Sequence, residues 1–463
     1  MLKKLFSIEY SDEFKVIRIF GIKISVKSYK LFIKKKLDSI NYNAYRANQF
    51  SYSNFYLLNS IKEEKLIKKV NSGKKIKVLF FVSYVSKFGM ESIYNEMIKD
   101  ELFDPYIYIL HPRDLMFEEK EIYFKEALEA YELFKSRGYK TIFAYDINTK
   151  IHIPLENISP DIIFYNNPNL HEYSIVKNLH LNTKYLTCYI NYSFNVVKSK
   201  TYSFNNMHIN TSWIIFLENS YMYYNHIKAN NGYNITLSGY PKLDSYSKPI
   251  NESNIPKKIN NGKKIVIYAP HWSIDTGIGY KSINTGTYHL YHKYFLGLLK
   301  KYPDINFVFK PHPDLKYRIL GSNIMDINYY ENYIKEWDNA PNGIYINDGE
   351  YIDLFRKSSC LITDSGSFIA EYLASENPCI YLVNPKEDNL LEKVFSEDTL
   401  KILNSYYLAY NQTEIDNYFN EVIINGNDTK KNDRLKQIKN TFINIGSAGK
   451  YIKDYIKNKL LDK

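Results

Sequence analysis

The chain has 463 residues, enough for two domains with separate cores. Hydrophobic residues make up 45% and charged residues 24%, which excludes an intrinsically disordered chain. Lys and Arg outnumber Asp and Glu by 61 to 50, and the net charge of +11 favours anionic partners: nucleic acid, lipid head groups or a phosphorylated substrate.

Residues Met1–Gly73 read as a basic extension. Lys3, Lys4, Lys15, Arg18, Lys23, Lys27, Lys30, Lys34, Lys35 and Lys36 alternate with Leu5, Phe6, Phe14, Ile17, Ile19, Phe20, Ile22 and Ile24. Such a segment could rest on an anionic membrane surface, and the alternative is a solvated basic face. The start has a basic beginning but no continuous apolar region and no small-residue cleavage site, so no signal peptide is expected. No apolar run approaches the ~20 residues of a membrane-spanning helix. The expected location is cytoplasmic, peripheral on the inner face of the cell membrane.

Regular alternation begins at Lys75. Strands are expected at Ile76–Val82, Tyr106–Leu110, Thr141–Ala144, Asp161–Tyr165, Lys184–Ile190, Trp213–Leu217 and Ile235–Leu237. Helical stretches fall near Glu91–Asp100 and over Glu118–Ser136. Residues Pro249–Lys264, with two prolines and four asparagines, read as a linker. The alternation then restarts, with strands at Lys264–Tyr268, Asn306–Lys310, Gly343–Ile346, Cys360–Thr363 and Cys379–Val383 and helices at His289–Lys301 and Ser367–Ser375. Two α/β units of this kind predict two doubly wound, Rossmann-type domains facing a cleft, at 74–248 and 265–425, joined by a linker at 249–264. The extension occupies 1–73, and the Lys-rich 426–463 reads as a helical tail.

The three cysteines, Cys188, Cys360 and Cys379, lie far apart without metal-ligand spacing. They exclude a disulfide framework and a zinc site and fit a reducing compartment. GxGxxG, Walker A and HExxH patterns are absent, so neither a cofactor nor a bound metal is expected.

Three features could carry chemistry. Phe307-Val308-Phe309 runs into Lys310-Pro311-His312-Pro313, where two prolines end strand pairing and place a cation and an imidazole at the sheet's carboxyl edge. That pair suits a diphosphate; the alternative is a strand end that happens to be polar. Leu361-Ile362-Thr363 runs into Asp364-Ser365-Gly366-Ser367 and then a helix carrying Glu371. Amide groups at such a turn attract anions, Gly366 would let a phosphate approach, and Glu371 could accept from ribose hydroxyls. The alternative for Asp364 is a helix cap. Ile265-Val266-Ile267-Tyr268-Ala269-Pro270 ends at His271, which could donate to phosphate or move a proton, or could be a surface histidine beside Trp272. Gly239-Tyr240-Pro241-Lys242-Leu243-Asp244 reads as a turn at the hinge.

Gly239-Tyr240-Pro241, Tyr268-Ala269-Pro270, Lys310-Pro311-His312-Pro313 and Thr363-Asp364-Ser365-Gly366-Ser367 together resemble the CDP-glycerol glycerophosphotransferase family, over about residues 75–384. The resemblance implies a GT-B-like α/β fold and no cofactor. It implies a CDP-linked donor in the C-terminal domain and a lipid-linked saccharide or polymer acceptor in the N-terminal domain, with no nucleic acid partner. It implies Lys310, His312 and His271 in catalysis, and Asp364, Ser365, Gly366, Ser367 and Glu371 around the nucleotide diphosphate. The teichoic-acid branch carries a His-Gly motif in the N-terminal domain; the corresponding region, Tyr189–Phe194, holds no histidine, and His208 is the nearest downstream. A GT-B glycosyltransferase using a nucleotide sugar is therefore the close alternative. Thr363-Asp364-Ser365-Gly366 followed by Glu371 also resembles the UDP-GlcNAc 2-epimerases, a less favoured reading. A basic nucleic-acid-binding protein is the non-enzymatic alternative.

Overall fold

The computed structural model describes residues 6–461 except 11–13, 20–21, 28, 83–84, 86–87, 111–119, 168–177, 199–205, 231, 275–284, 322–324, 348–349 and 387. The chain divides into two compact units, residues 1–58 and 59–463.

The first unit holds an antiparallel meander that the basic composition conceals: β1 (Phe6–Tyr10), β2 (Phe14–Ile19) and β3 (Ile22–Lys27) pair in that order. Alternation such as Ile-Lys-Ile-Ser-Val-Lys has the period of a strand, with the polar Lys23, Ser25 and Lys27 on every second position. A helix, Tyr29–Asn71, follows. Of the residues on which the membrane-surface expectation rests, Lys3, Lys4, Leu5 and Phe20 lie outside the described residues.

The second unit contains two parallel sheets. The first is built from β4 (Ile76–Val82), β5 (Phe103–Ile109), β6 (Thr141–Phe143), β7 (Ile162–Tyr165), β8 (Leu186–Ile190), β9 (Ile214–Leu217) and β10 (Ile235–Leu237), in the order β10-β9-β8-β7-β4-β5-β6. The second is built from β11 (Lys264–Ala269), β12 (Ile305–Phe309), β13 (Gly343–Tyr345), β14 (Cys360–Thr363), β15 (Cys379–Leu382) and β16 (Tyr407–Ala409), in the order β13-β12-β11-β14-β15-β16. Strand β16 has no counterpart in the sequence expectation, because only three residues pair.

Both sheets are covered on both faces, which is why their strands are continuously apolar. Along β11, Ile265, Ile267 and Ala269 enter one apolar cluster, while Val266 and Tyr268 enter the other. The three cysteines are free and buried.

The chain does not end in the domain where the second sheet lies. The helix Ala448–Leu461 sends Ile452, Ile456 and Leu460 into the core of the first sheet. Its entry is fixed by Asp244, whose carboxylate accepts from the N–H groups of Ala448 (2.9 Å) and Gly449 (2.7 Å). Asp244 lies in the 3-10 turn Pro241–Ser247, which follows Gly239. Gly239 has φ +80°, and an added Cβ would stand 2.0 Å from the carbonyl oxygen of Ile443. Only glycine fits there. Ser92 donates to the carbonyl of Pro241 (3.0 Å), so the hinge turn is held from the first domain as well.

Candidate active site

Strand β11 is the centre of the second sheet. It pairs with β12 on one side and with β14 on the other, and the connection order reverses there. Ligands of open α/β sheets bind outside the carboxyl ends of strands at such a switch point. The three strand ends at this point are Ala269-Pro270-His271, Lys310-Pro311-His312 and Asp364-Ser365-Gly366-Ser367, the same segments singled out by sequence.

Specific bonds lock them together. Lys310 N–H donates to the carbonyl of Tyr268 (2.8 Å), and His312 N–H donates to that of Pro270 (3.0 Å). Thr363 Oγ1 donates to the carbonyl of Ala269 (2.6 Å) and accepts from the N–H of Ser365 (3.0 Å). The rings of His271 and His312 meet edge to face with centroids 5.4 Å apart.

Each imidazole has the same polarity. His271 Nδ1 accepts from the N–H of Ser273 (3.2 Å), and His312 Nδ1 accepts from the N–H of Asp314 (3.1 Å). An acceptor nitrogen carries no proton, so each neutral ring carries its proton on Nε2. Burial, reinforced by nearby His312 and opposed by Asp314, lowers the pKa of His271 to about 3. His271 is therefore a neutral donor at physiological pH rather than a cation.

Asp364, expected on the diphosphate, is instead turned inward. It is fully buried; Oδ1 accepts from the N–H of His271 (2.5 Å), and Oδ2 accepts from the N–H and Oγ1 (2.7 Å) of Thr287. Nor does it cap the following helix: Ser365 is the N-cap residue of Gly366–Leu373. Burial raises the carboxyl's pKa to about 6 against the opposing hydrogen bonds. Asp364 positions the site and presents no oxygen to a ligand.

Gly366 also has a packing role. A Cβ there would stand 3.0 Å from Phe395 Cε1 and 3.2 Å from Val196 Cγ2. Val196 belongs to the loop after β8 in the first domain. That loop reaches the second: the carbonyl of Val196 accepts from Ser396 N–H (3.1 Å) and Thr399 Oγ1 (2.6 Å). Ser365 Oγ and Ser367 Oγ lie 3.4 Å apart.

Glu371 is almost fully buried, and its oxygens face tyrosines. Tyr240 OH donates to the carbonyl of Tyr192 (2.8 Å) with its oxygen 3.3 Å from Oε1, while Tyr351 OH donates to Oε2. Lys242 Nζ lies 3.7 Å from Oε2 and 4.2 Å from the centre of the Tyr351 ring. Lys310 Nζ lies 5.4 Å from the same ring. Two ammonium groups, two phenols and one carboxylate thus form a buried cluster next to the strand ends. The sequence reading did not single out Tyr351 and gave Tyr240 and Lys242 no role at the site, because Tyr240 lies 131 residues from Glu371 and Lys242 lies 109 from Tyr351. The hinge motif Gly-Tyr-Pro-Lys was the only trace of two of them.

At the carboxyl edge of the first sheet, Glu218 follows β9 and is 2% exposed. Its Oε1 accepts from the N–H of Asn195 (3.0 Å) and from Asn191 Nδ2 (3.4 Å). Burial raises its pKa to about 7. His208 lies elsewhere, buried with its ring 5.0 Å from that of Tyr165. No cluster of His, Cys, Asp and Glu among the described residues could hold a metal. Among the described residues no helix is long and apolar enough to cross a membrane.

The fold is similar to that of solved GT-B-like enzymes, as expected. A protein assigned as a UDP-N-acetylglucosamine 2-epimerase from Listeria monocytogenes superposes with a TM-score of 0.55 at 14% identity, covering 84% of this chain and 97% of that one. MnaA of S. aureus, solved with UDP, gives 0.53 at 12% identity, covering 84% and 98%. The wall teichoic acid polymerase TagF gives 0.49 at 16% identity, covering 93% and 98%. No curated sequence matches the chain. The family profile described as CDP-glycerol:poly(glycerophosphate) glycerophosphotransferase matches residues 194–452, more than half of the chain and all three strand-end motifs. The chain belongs to this transferase family.

Proposed function

We propose that the protein transfers glycerol phosphate, or a related polyol phosphate, from a CDP-linked donor to a hydroxyl of a lipid-linked saccharide or surface polymer. The observation that carries this reading is the convergence of the three strand ends on β11, with His271 and His312 in ring contact at 5.4 Å. The family membership supplies the donor class.

On this reading the donor's diphosphate lies against the Ser365-Gly366-Ser367 turn. There the backbone amides at the start of the helix Gly366–Leu373 attract negative charge. His312 and His271 donate from Nε2, and Lys310 supplies positive charge. Glu371, expected to meet the ribose, is buried with its oxygens against Tyr240 and Tyr351 and supports the turn from within the domain. The acceptor oxygen loses its proton and bonds to the phosphorus that bears the glycerol. The bond from that phosphorus to the bridging oxygen breaks, and CMP leaves with the electron pair. Catalysis is positioning plus neutralisation of charge developing on the phosphoryl oxygens.

The test is a donor screen with a lipid-linked saccharide acceptor, reading release of CMP, CDP or UDP. Acceptor-dependent CMP release from CDP-glycerol or another CDP-alditol supports the reading. Release of UDP or CDP from a nucleotide sugar instead establishes the glycosyltransferase alternative. Membrane contact is read separately: removing residues 1–36 should release the protein from anionic liposomes while CDP still raises its melting temperature.

A further inference from the structure

We infer that Glu218 is the group that takes the proton from the acceptor hydroxyl, in place of the histidine that the loop after β8 lacks. The inference rests on the transferase reading above and adds to it the missing proton acceptor.

Three observations carry it. First, Glu218 stands at the carboxyl edge of the first sheet, directly after β9, where a ligand bound between two such domains is met. Second, its two oxygens are not equivalent. Oε1 holds the N–H of Asn195 and the side chain of Asn191, whereas Oε2 is buried and meets no hydrogen-bond partner among the described residues. A buried carboxylate oxygen left without a donor costs free energy, and a substrate hydroxyl would satisfy it. Third, the loop that Oε1 holds, residues 191–197, is the one that reaches the donor side. Val196 Cγ2 stands 3.2 Å from where a Cβ on Gly366 would lie, and the carbonyl of Tyr192 accepts from Tyr240 OH, whose oxygen lies 3.3 Å from Glu371 Oε1. One short chain of contacts therefore runs from Glu218 to the Glu371 carboxylate on the donor side.

The surroundings suit a base. The titratable groups that face Glu218 are Tyr189 on β8 and Tyr240 after β10, both held protonated by burial far above their ordinary range. Burial, opposed by hydrogen bonds from its own N–H, from Asn195 N–H and from the Asn191 side chain, brings the Glu218 carboxyl near neutrality, where a general base is most effective. In the step, the acceptor's O–H proton passes to Oε2 as the O–P bond forms and CMP departs. Glu218 then returns that proton to solvent.

The test compares wild type with Glu218→Gln. The amide keeps an oxygen to accept from Asn195 N–H, so the loop stays anchored, but it takes no proton at neutral pH. The expected result is a fall in kcat of about 100-fold or more, with the acceptor KM, the melting temperature and the shift given by CDP unchanged. A variant that transfers within threefold of wild type overturns the inference. The pH profile of the wild type serves if the variant fails to fold. Its kcat should fall below pH ~7 as Glu218 is protonated, and a flat kcat from acid to neutral pH overturns the inference. Wild-type protein that is not protected by CDP and releases no CMP overturns the transferase reading itself. Active wild type with an active Glu218→Gln sinks only the role of Glu218.

Discussion

Oδ1 of Asp364 accepts the backbone N–H of His271 at 2.5 Å. This one bond joins the end of β14 to the end of β11, and the His271 ring in turn touches His312 at the end of β12. The polar strand ends are thus a braced platform. It carries His271, His312, Lys310, Ser365 and Ser367, and Asp364 braces it from beneath.

Replacing His312 by Ala should cost about 100-fold or more in transfer rate, and the rise in melting temperature given by CDP should disappear. Unchanged CDP protection in His312→Ala would remove the diphosphate from this platform. Replacement of Lys310 by Ala should act in the same direction.

Asp364→Ala should destabilise the fold. It strands the backbone N–H groups of His271 and Thr287, each at about 1–3 kcal/mol when buried without an acceptor. Urea unfolding measures this, and a midpoint equal to wild type would contradict the bracing role.

Gly239→Ala should be at least as damaging. The residue sits at φ +80°, and its new methyl would meet the Ile443 carbonyl at 2.0 Å. Backbone strain of this kind costs about 1–3 kcal/mol before the clash is counted. Limited proteolysis should cut the variant between residues 441 and 448 faster than wild type; equal rates would exclude a strained hinge.

Stability should depend on pH through His271. Burial keeps its ring neutral in the folded state down to about pH 3, while the unfolded ring binds a proton below pH 6.5. Below pH 6.5 the unfolded state therefore holds more protons, and stability falls as pH falls towards 3. Above pH 6.5 the contribution of His271 is complete. Denaturant midpoints at pH 4 and pH 7 should differ more for wild type than for His271→Asn, and equal differences would refute the assignment.

Much of this was legible in the sequence because buried parallel strands are apolar runs, and Pro-His or Ser-Gly-Ser interrupts them at their ends. The basic meander was not, since Lys15, Arg18, Lys23 and Lys27 in β2 and β3 read as charge before they read as strand period. The contacts of Glu371 were hidden for another reason. Nothing local in Ser-Gly-Ser-Phe-Ile-Ala-Glu says that its carboxylate will meet Tyr240 and Tyr351, because the fold alone brings them together. Asp364 stood in a polar turn and read as a ligand, although Oδ2 is taken by Thr287, which lies 77 residues away. The helix 448–461 showed an apolar face but not the sheet that face would cover.

That helix has a consequence for how the molecule is made. Ile452, Ile456 and Leu460 complete an apolar core whose other walls are laid down between Leu66 and Met222. While the ribosome is still translating the second sheet, the first carries an uncovered greasy flank. The two halves therefore mature together, and a nascent chain stalled before residue 448 would be a ready client for chaperones.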